Sequence, residues 1–152
     1  MKKMEGCPQP LGVTYGDGKV NFAVSVPMGK RCELLLYRAG HKEPKAVFEM
    51  PEEEGLGEVR FLAVEGLDIR KYEYNYRIDG KVFVDPFVKE LARTRQFGKK
   101  PKAENHEIRG KFLDAEYDWE GDAYLKLPYH EVIAYSLHIR GFTKHSSSKV
   151  KR

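Results

Sequence analysis

The stretch Lys71–Asp79 constrains the fold most, because apolar and polar side chains alternate along it without interruption. The residues on its apolar face are Tyr72, Tyr74, Tyr76 and Ile78. Asp79 and Gly80 then supply the residues of a tight turn into Lys81–Val84. The pattern predicts a β-hairpin with the tyrosine rings in a core and their hydroxyls at its rim.

Shorter runs of strand-forming residues, separated by Gly and Pro turns, fill most of the first ninety residues. They cover Val20–Val26, Cys32–Tyr37 and Val59–Val64, and Ile108–Leu113 adds one more short strand. The only helix predicted in this part is a short one over Phe87–Arg93. Many short strands without a long amphipathic helix are typical of an all-β fold, here an immunoglobulin-like β-sandwich.

Composition and charge exclude several classes of protein. The net charge of +4 on 152 residues is not gathered into a basic stripe, so we expect no nucleic-acid partner. No apolar window is long enough for a signal peptide or a membrane span, so we expect no membrane partner and a cytoplasmic location. Cys7 and Cys32 lack metal-binding spacing, as do His130, His138 and His145, and we expect neither a metal nor another cofactor.

Several short motifs of the sandwich occur in an order that resembles a known module. They are Pro10–Gly12, Val20–Val24, the spacing Tyr72-x-Tyr74-x-Tyr76 and Asp85–Phe87. This series resembles the carbohydrate-binding module of family 48, which forms the amino-terminal domain of pullulanases, isoamylases and glycogen branching enzymes.

Two later motifs resemble the start of the catalytic barrel in the same enzymes. Tyr117–Asp122 is similar to the segment that introduces the barrel in pullulanase-type enzymes, and Val132–Thr143, with its His-x-Arg-Gly-Phe-Thr, resembles the first barrel strand of the α-amylase superfamily. The predicted organisation is a tail (1–10), a sandwich domain (11–95), a linker or packing segment (96–131) and the first strand of an incomplete (β/α)₈ barrel (132–152).

The resemblance implies a parent glycoside hydrolase, of family 13, that cleaves α-1,6 linkages in pullulan, glycogen or starch-derived dextrins. Such enzymes use an Asp nucleophile and a Glu general acid on later barrel strands. A whole barrel takes roughly 250 residues, so we expect this chain to lack those carboxylates and to be inactive alone. Its expected partner is an α-glucan, bound weakly if at all.

The resemblance also directs attention to three side chains. Starch-binding relatives carry a Trp where this hairpin has Val82, which leaves Lys81 and Phe83 as candidates for weak glycan contacts. Core packing of Phe83 and simple solvation of Lys81 are the favoured interpretations. His138 is the candidate for the barrel interior.

Two other functions remain open. One is a stand-alone glycogen- or starch-binding module, which needs an exposed aromatic pair. The other is a structural interaction domain, because an unpaired strand over 132–139 exposes apolar faces and backbone groups. We expect this segment to fold back on the sandwich or to pair between chains.

Overall fold

The computed structural model describes residues 1–92, 108–113 and 118–150, and the chain divides into two compact units, 1–115 and 116–152. The described strands all lie in the first unit. They are β1 (Lys2–Met4), β2 (Gly12–Gly16), β3 (Lys19–Ser25), β4 (Cys32–Arg38), β5 (Pro44–Glu49), β6 (Val59–Glu65), β7 (Tyr72–Ile78), β8 (Lys81–Phe83), β9 (Glu90–Ala92) and β10 (Arg109–Lys111). A 3₁₀ turn covers Glu52–Glu54.

These strands form two antiparallel sheets. The first has the order β1-β6-β3-β2, and the second has the order β5-β4-β7-β10-β9, with β8 also paired to β7. Apolar side chains from both sheets form one buried cluster. The predicted all-β sandwich is therefore confirmed, and so is the predicted strand near residue 110.

Aromatic rings connect the two sheets at the centre of the core. Phe22 on β3 meets Tyr74 on β7 edge-on with ring centroids 5.5 Å apart, and Phe112 stacks on Tyr74 at 5.0 Å. Burying one such side chain contributes about 1.5–3 kcal/mol. The tyrosine core is as predicted, but the expected rim position of the hydroxyls is wrong for Tyr74 and Tyr76. The Tyr74 hydroxyl bonds inside the sandwich, and the Tyr76 hydroxyl is buried without a hydrogen bond to any residue that the structure describes.

The 3₁₀ turn over Glu52–Glu54 joins separate parts of the first unit. Glu52 Oε2 accepts the N–H of Gly29 at 2.7 Å and lies 2.7 Å from Nη2 of Arg60, whose side chain is fully buried. Glu54 pairs with Lys3 at 2.7 Å. In sequence these three acidic residues resemble a solvated loop. In the structure Glu52 neutralises the buried Arg60, and Glu54 holds β1.

The sandwich also includes segments that were predicted otherwise. Residues 1–10, predicted as a tail, contribute β1, which pairs with β6. The helix expected from Phe87 does not form, because the carboxylate of Asp85 accepts the Phe87 N–H and closes a turn before β9. Residues 96–107 and 114–117 of the predicted linker lie outside the described residues.

The second unit contains little regular structure in its described part. A helix, α1, covers Ile139–Lys144, and 3₁₀ turns cover Tyr129–Glu131 and Ser146–Ser148. The strand predicted over 132–139 does not form: residues 132–138 carry no strand assignment and α1 begins at Ile139. A barrel strand requires hydrogen-bonded neighbours, and no described strand pairs with this segment. Across the described residues, no helix has the length and apolarity to span a membrane.

Candidate functional site

The candidate contacts Lys81 and Phe83 lie on β8, at the end of a tight hairpin. Asp79 and Gly80 form its turn with φ of +46° and +79°, a conformation that Asp and Gly tolerate. The Asp79 carboxylate accepts the N–H of Arg31 at 3.1 Å and pairs with Lys30 at 2.6 Å. The hydrogen bond from Lys30 lowers the Asp79 pKa below its ordinary value. The turn is thereby fixed to the loop before β4.

Phe83 is exposed rather than packed in the core. It pairs with Tyr76 in the β7–β8 register, yet its side chain is 48% exposed. The preferred expectation of core packing is therefore wrong, because β8 is short, has a single strand neighbour and lies off the main path of its sheet. Lys81 is exposed, as expected. Val82 pairs with Arg77 and points to the opposite face of β8.

Asp85, which follows β8, anchors this edge of the sandwich. Its carboxylate accepts the Tyr74 hydroxyl at 2.9 Å and the N–H of Phe87 at 2.8 Å, while the residue is 1% exposed. Burial raises the Asp85 pKa above its ordinary value, and these two hydrogen bonds partly oppose the shift. Its position before Pro86 at the end of a strand predicts a residue that caps or turns the chain, and the turn is confirmed. The buried bond to Tyr74 was missed, since nothing local to Asp85 marks it.

Phe83 and Phe87, two residues before and after Asp85, are half-exposed, as is Tyr15 of β2, and we call these three residues the aromatic edge. Phe87 is 52% exposed and lies against Gly12, where an added Cβ would stand 2.8 Å from the Phe87 Cβ. Gly12 also has φ of +91°, so both the close approach of Phe87 and the backbone conformation disfavour any side chain at this position. Tyr15 belongs to β2; burial and the neighbouring Asp85 raise the Tyr74 pKa, and the Tyr15 phenol adds to this shift.

The aromatic edge presents ring faces, and Lys81, on the same strand as Phe83, adds an ammonium group. Apolar ring faces with a nearby ammonium group suit the apolar face and hydroxyls of a neutral sugar. The Asp85 carboxylate, which anchors this edge of the sandwich, is buried with both oxygens hydrogen-bonded. Within the described residues, no cluster of three or more His, Cys, Asp or Glu residues could hold a metal ion.

His138, the candidate for a barrel interior, caps a helix instead. Its Nδ1 accepts the N–H of Gly141 at 3.0 Å, in the first turn of α1. Trp119, the one tryptophan of the chain, is exposed in the second unit, in a turn closed by a hydrogen bond from the Asp122 N–H to its carbonyl.

Comparisons with known proteins agree with the motifs. Isoamylase 1, chloroplastic, of Arabidopsis thaliana is 30% identical over 168 residues, covering 97% of this chain and 21% of the relative. The glycogen debranching enzyme of Klebsiella pneumoniae is 26% identical over 161 residues, covering 91% of this chain and 24% of the relative. The homologues of this chain are isoamylases and glycogen debranching enzymes. The predicted resemblance is thus confirmed, and the chain spans about a fifth to a quarter of these relatives' length.

Solved structures of pullulanases share the fold. Apo pullulanase from Paenibacillus barengoltzii has a TM-score of 0.58 at 20% identity, covering 79% of this chain and 17% of that chain. Pullulanase from Bacillus acidopullulyticus has a TM-score of 0.56 at 22% identity, covering 75% and 13%. A mutant of the Paenibacillus pullulanase, with a TM-score of 0.53 at 19% identity over 70% of this chain and 15% of that chain, was solved in complex with maltotetraose. No model of a protein family matches the chain.

Proposed function

We propose that this chain is an accessory region of a debranching glycoside hydrolase of the isoamylase and pullulanase type, which holds α-glucan near a catalytic domain or buttresses that domain. The similarity to debranching enzymes along 97% of the chain, at 21% of the relative's length, is the observation that carries the proposal. In this view the cleaving carboxylates are supplied outside residues 1–152. The purified chain should therefore release no reducing sugar from pullulan, and turnover in a contamination-free preparation would contradict the assignment.

The aromatic edge is the proposed glucan-binding surface. The exposed phenyl rings of Phe83, on β8, and Phe87, in the turn that Asp85 closes, present apolar area at little conformational cost on binding. Affinity electrophoresis in glycogen-containing gels tests this, and we expect weak retardation of the wild type that Phe83→Ala removes. Val82→Ala is the matched control, because Val82 is its neighbour on the opposite face of β8. Equal migration of the wild type with and without glycogen would refute binding and leave only the buttressing role.

A second candidate function, pairing between chains through residues 132–139, is favoured by one observation. Ile133 and Tyr135 are 81% and 85% exposed, and Leu137 and Ile139 are also exposed, although alternation predicts these four for one apolar strand face. We expect a concentration-dependent dimer in sedimentation equilibrium that Ile133→Lys disrupts. A monomer at all concentrations, with fast amide exchange across 132–139, would exclude this role.

A further inference from the structure

The amino-terminal segment crosses the outer face of the first sheet. β1 and β2 lie at opposite edges of that sheet, so residues 5–11, which we call the strap, must pass over β6 and β3. Asn21 on β3 holds the strap, because its Oδ1 accepts the Cys7 N–H at 2.7 Å and its Nδ2 donates to the Cys7 carbonyl at 3.0 Å. Gly6 lies directly on β6, where an added Cβ would be 2.5 Å from the backbone carbon of Leu62.

A cavity opens where the strap leaves β1. β1 pairs with β6 only from Ala63 to Glu65, whereas β6 begins at Val59, so β6 continues beyond its neighbour at this edge. The cavity has a volume of about 460 Å³, within the range of roughly 300–1,000 Å³ that small-molecule sites occupy. The ring of Phe61, on the outer face of β6, lines it together with Gly6 of the strap.

The charges of this strap cavity favour a neutral ligand. Lys3 and Glu54, which both line it, pair with each other at 2.7 Å, and Glu5 adds a further carboxylate. The two carboxylates would repel an anion. A cation would be attracted only weakly, because the three side chains carry a single net negative charge and solvent screens it. A polyhydroxylated neutral molecule can instead accept from the ammonium group, donate to the carboxylates and lay an apolar face on the phenyl ring.

We propose that the strap cavity is a second α-glucan subsite, on the sheet opposite the one that carries Phe83. The inference takes its ligand class from the proposed function, since the carbohydrate chemistry of the debranching homologues supplies the glucan. The aromatic edge and the strap cavity are built from different residues of the same unit. A glucan chain that reaches both would be held by two weak contacts in place of one, which raises avidity without raising either affinity.

Amide NMR of the full 152-residue chain, titrated with maltotetraose, tests the two sites separately. We expect shifts of the Lys3–Gly6, Glu54 and Phe61 amides, distinct from those of residues 81–87. Phe61→Leu keeps apolar bulk but removes the ring, and should weaken binding at the strap cavity by about two- to tenfold. Glu54→Gln, a milder change at an exposed residue, should weaken it similarly, whereas Glu53→Gln in the same 3₁₀ turn should not.

Each outcome decides a different claim. Shifts around Phe61 that persist in Phe83→Ala establish an independent strap subsite. Shifts confined to residues 81–87 overturn the strap subsite and leave the proposed glucan-binding edge intact. Shifts confined to the strap cavity support the second subsite and remove the aromatic edge from the proposed function. No shift at either place, or shifts at the strap that neither Phe61→Leu nor Glu54→Gln weakens, overturns the inference.

Discussion

Removing the Tyr74 hydroxyl tests whether a bond inside the sandwich fixes the aromatic edge. In Tyr74→Phe, one oxygen of the Asp85 carboxylate loses its donor, while the other keeps the N–H of Phe87. A buried acceptor that loses its donor costs about 1–3 kcal/mol, and charged acceptors lie toward the upper end. Since Asp85 is almost fully buried, we expect a loss of about 2 kcal/mol at pH 7, which lowers the Tm by about 8 °C for a domain of this size.

The cost should also depend on pH, because Asp85 has a raised pKa in the folded state. A raised carboxyl pKa contributes stability below the unfolded-state pKa, and this contribution is lost as pH rises through the folded-state pKa. The Tyr74 hydrogen bond opposes the shift, so Tyr74→Phe raises the Asp85 pKa further. The variant should therefore differ most from the wild type at neutral pH, and the difference should shrink as pH falls toward the ordinary Asp value of 3.8.

Tyr76→Phe is the matched control, made two residues along the same strand on the same face. Within the described part of the chain the Tyr76 hydroxyl is buried with no hydrogen-bond partner, so its removal should leave the free energy of unfolding unchanged or raise it. Urea unfolding of both variants at pH 7 and pH 4, followed by circular dichroism, measures the comparison. Equal losses in the two variants, or a Tyr74→Phe cost that grows toward acid pH, would refute the reasoning.

Three further changes have defined outcomes. Glu52→Gln leaves the buried Arg60 without its counter-charge, and because Glu52 is itself partly exposed we expect a loss of about 1–3 kcal/mol in urea unfolding; an unchanged midpoint would contradict the pairing. Gly110→Ala places a methyl group 2.6 Å from the ring of Tyr74, so we expect overpacking to cost about 1–3 kcal/mol by the same assay, and wild-type stability would show that the ring can move. Burial raises the Cys32 pKa to about 11, so in native protein a thiol reagent should label only the exposed Cys7. Rapid labelling of both cysteines would contradict the buried position of Cys32.

The alternation of apolar and polar residues predicted the central strands correctly, because neighbouring strands in the sheet pair with them along their length. The run over Lys71–Asp79 became β7 with the tyrosine face inward, since β4 pairs along its whole length. β1 has only three residues, and no periodicity distinguishes it from a tail. Its place in the sheet depends on contacts far along the chain, namely with Ala63–Glu65 and with Glu54. Such contacts are invisible in a window of local sequence.

The candidate site was predictable in position but not in detail. The turn at Asp79 and Gly80 placed Lys81 and Phe83 on a hairpin strand, and the hairpin is present. Exposure of Phe83 depends on β8 lying off the sheet path, which is a property of topology rather than of residue type. Phe87 was not predicted as a site residue. Its position directly after the turn at Asp85 was the sequence signal for an exposed ring there.

The segment 132–139 shows why alternation alone does not establish a strand. Its apolar and smaller residues alternate much as those of β7 do, which predicts a strand with two faces, yet residues 132–138 form no strand and both sets of side chains are exposed. A strand also requires partners for its backbone groups, and β7 obtains them from β4, β8 and β10. In the described part of the second unit no strand offers such groups. The segment bonds locally instead, where the Val132 N–H donates to the Tyr129 carbonyl and the His138 carbonyl accepts the Phe142 N–H of α1. The same pattern that buries Tyr74 in one unit therefore leaves Tyr135 exposed in the other.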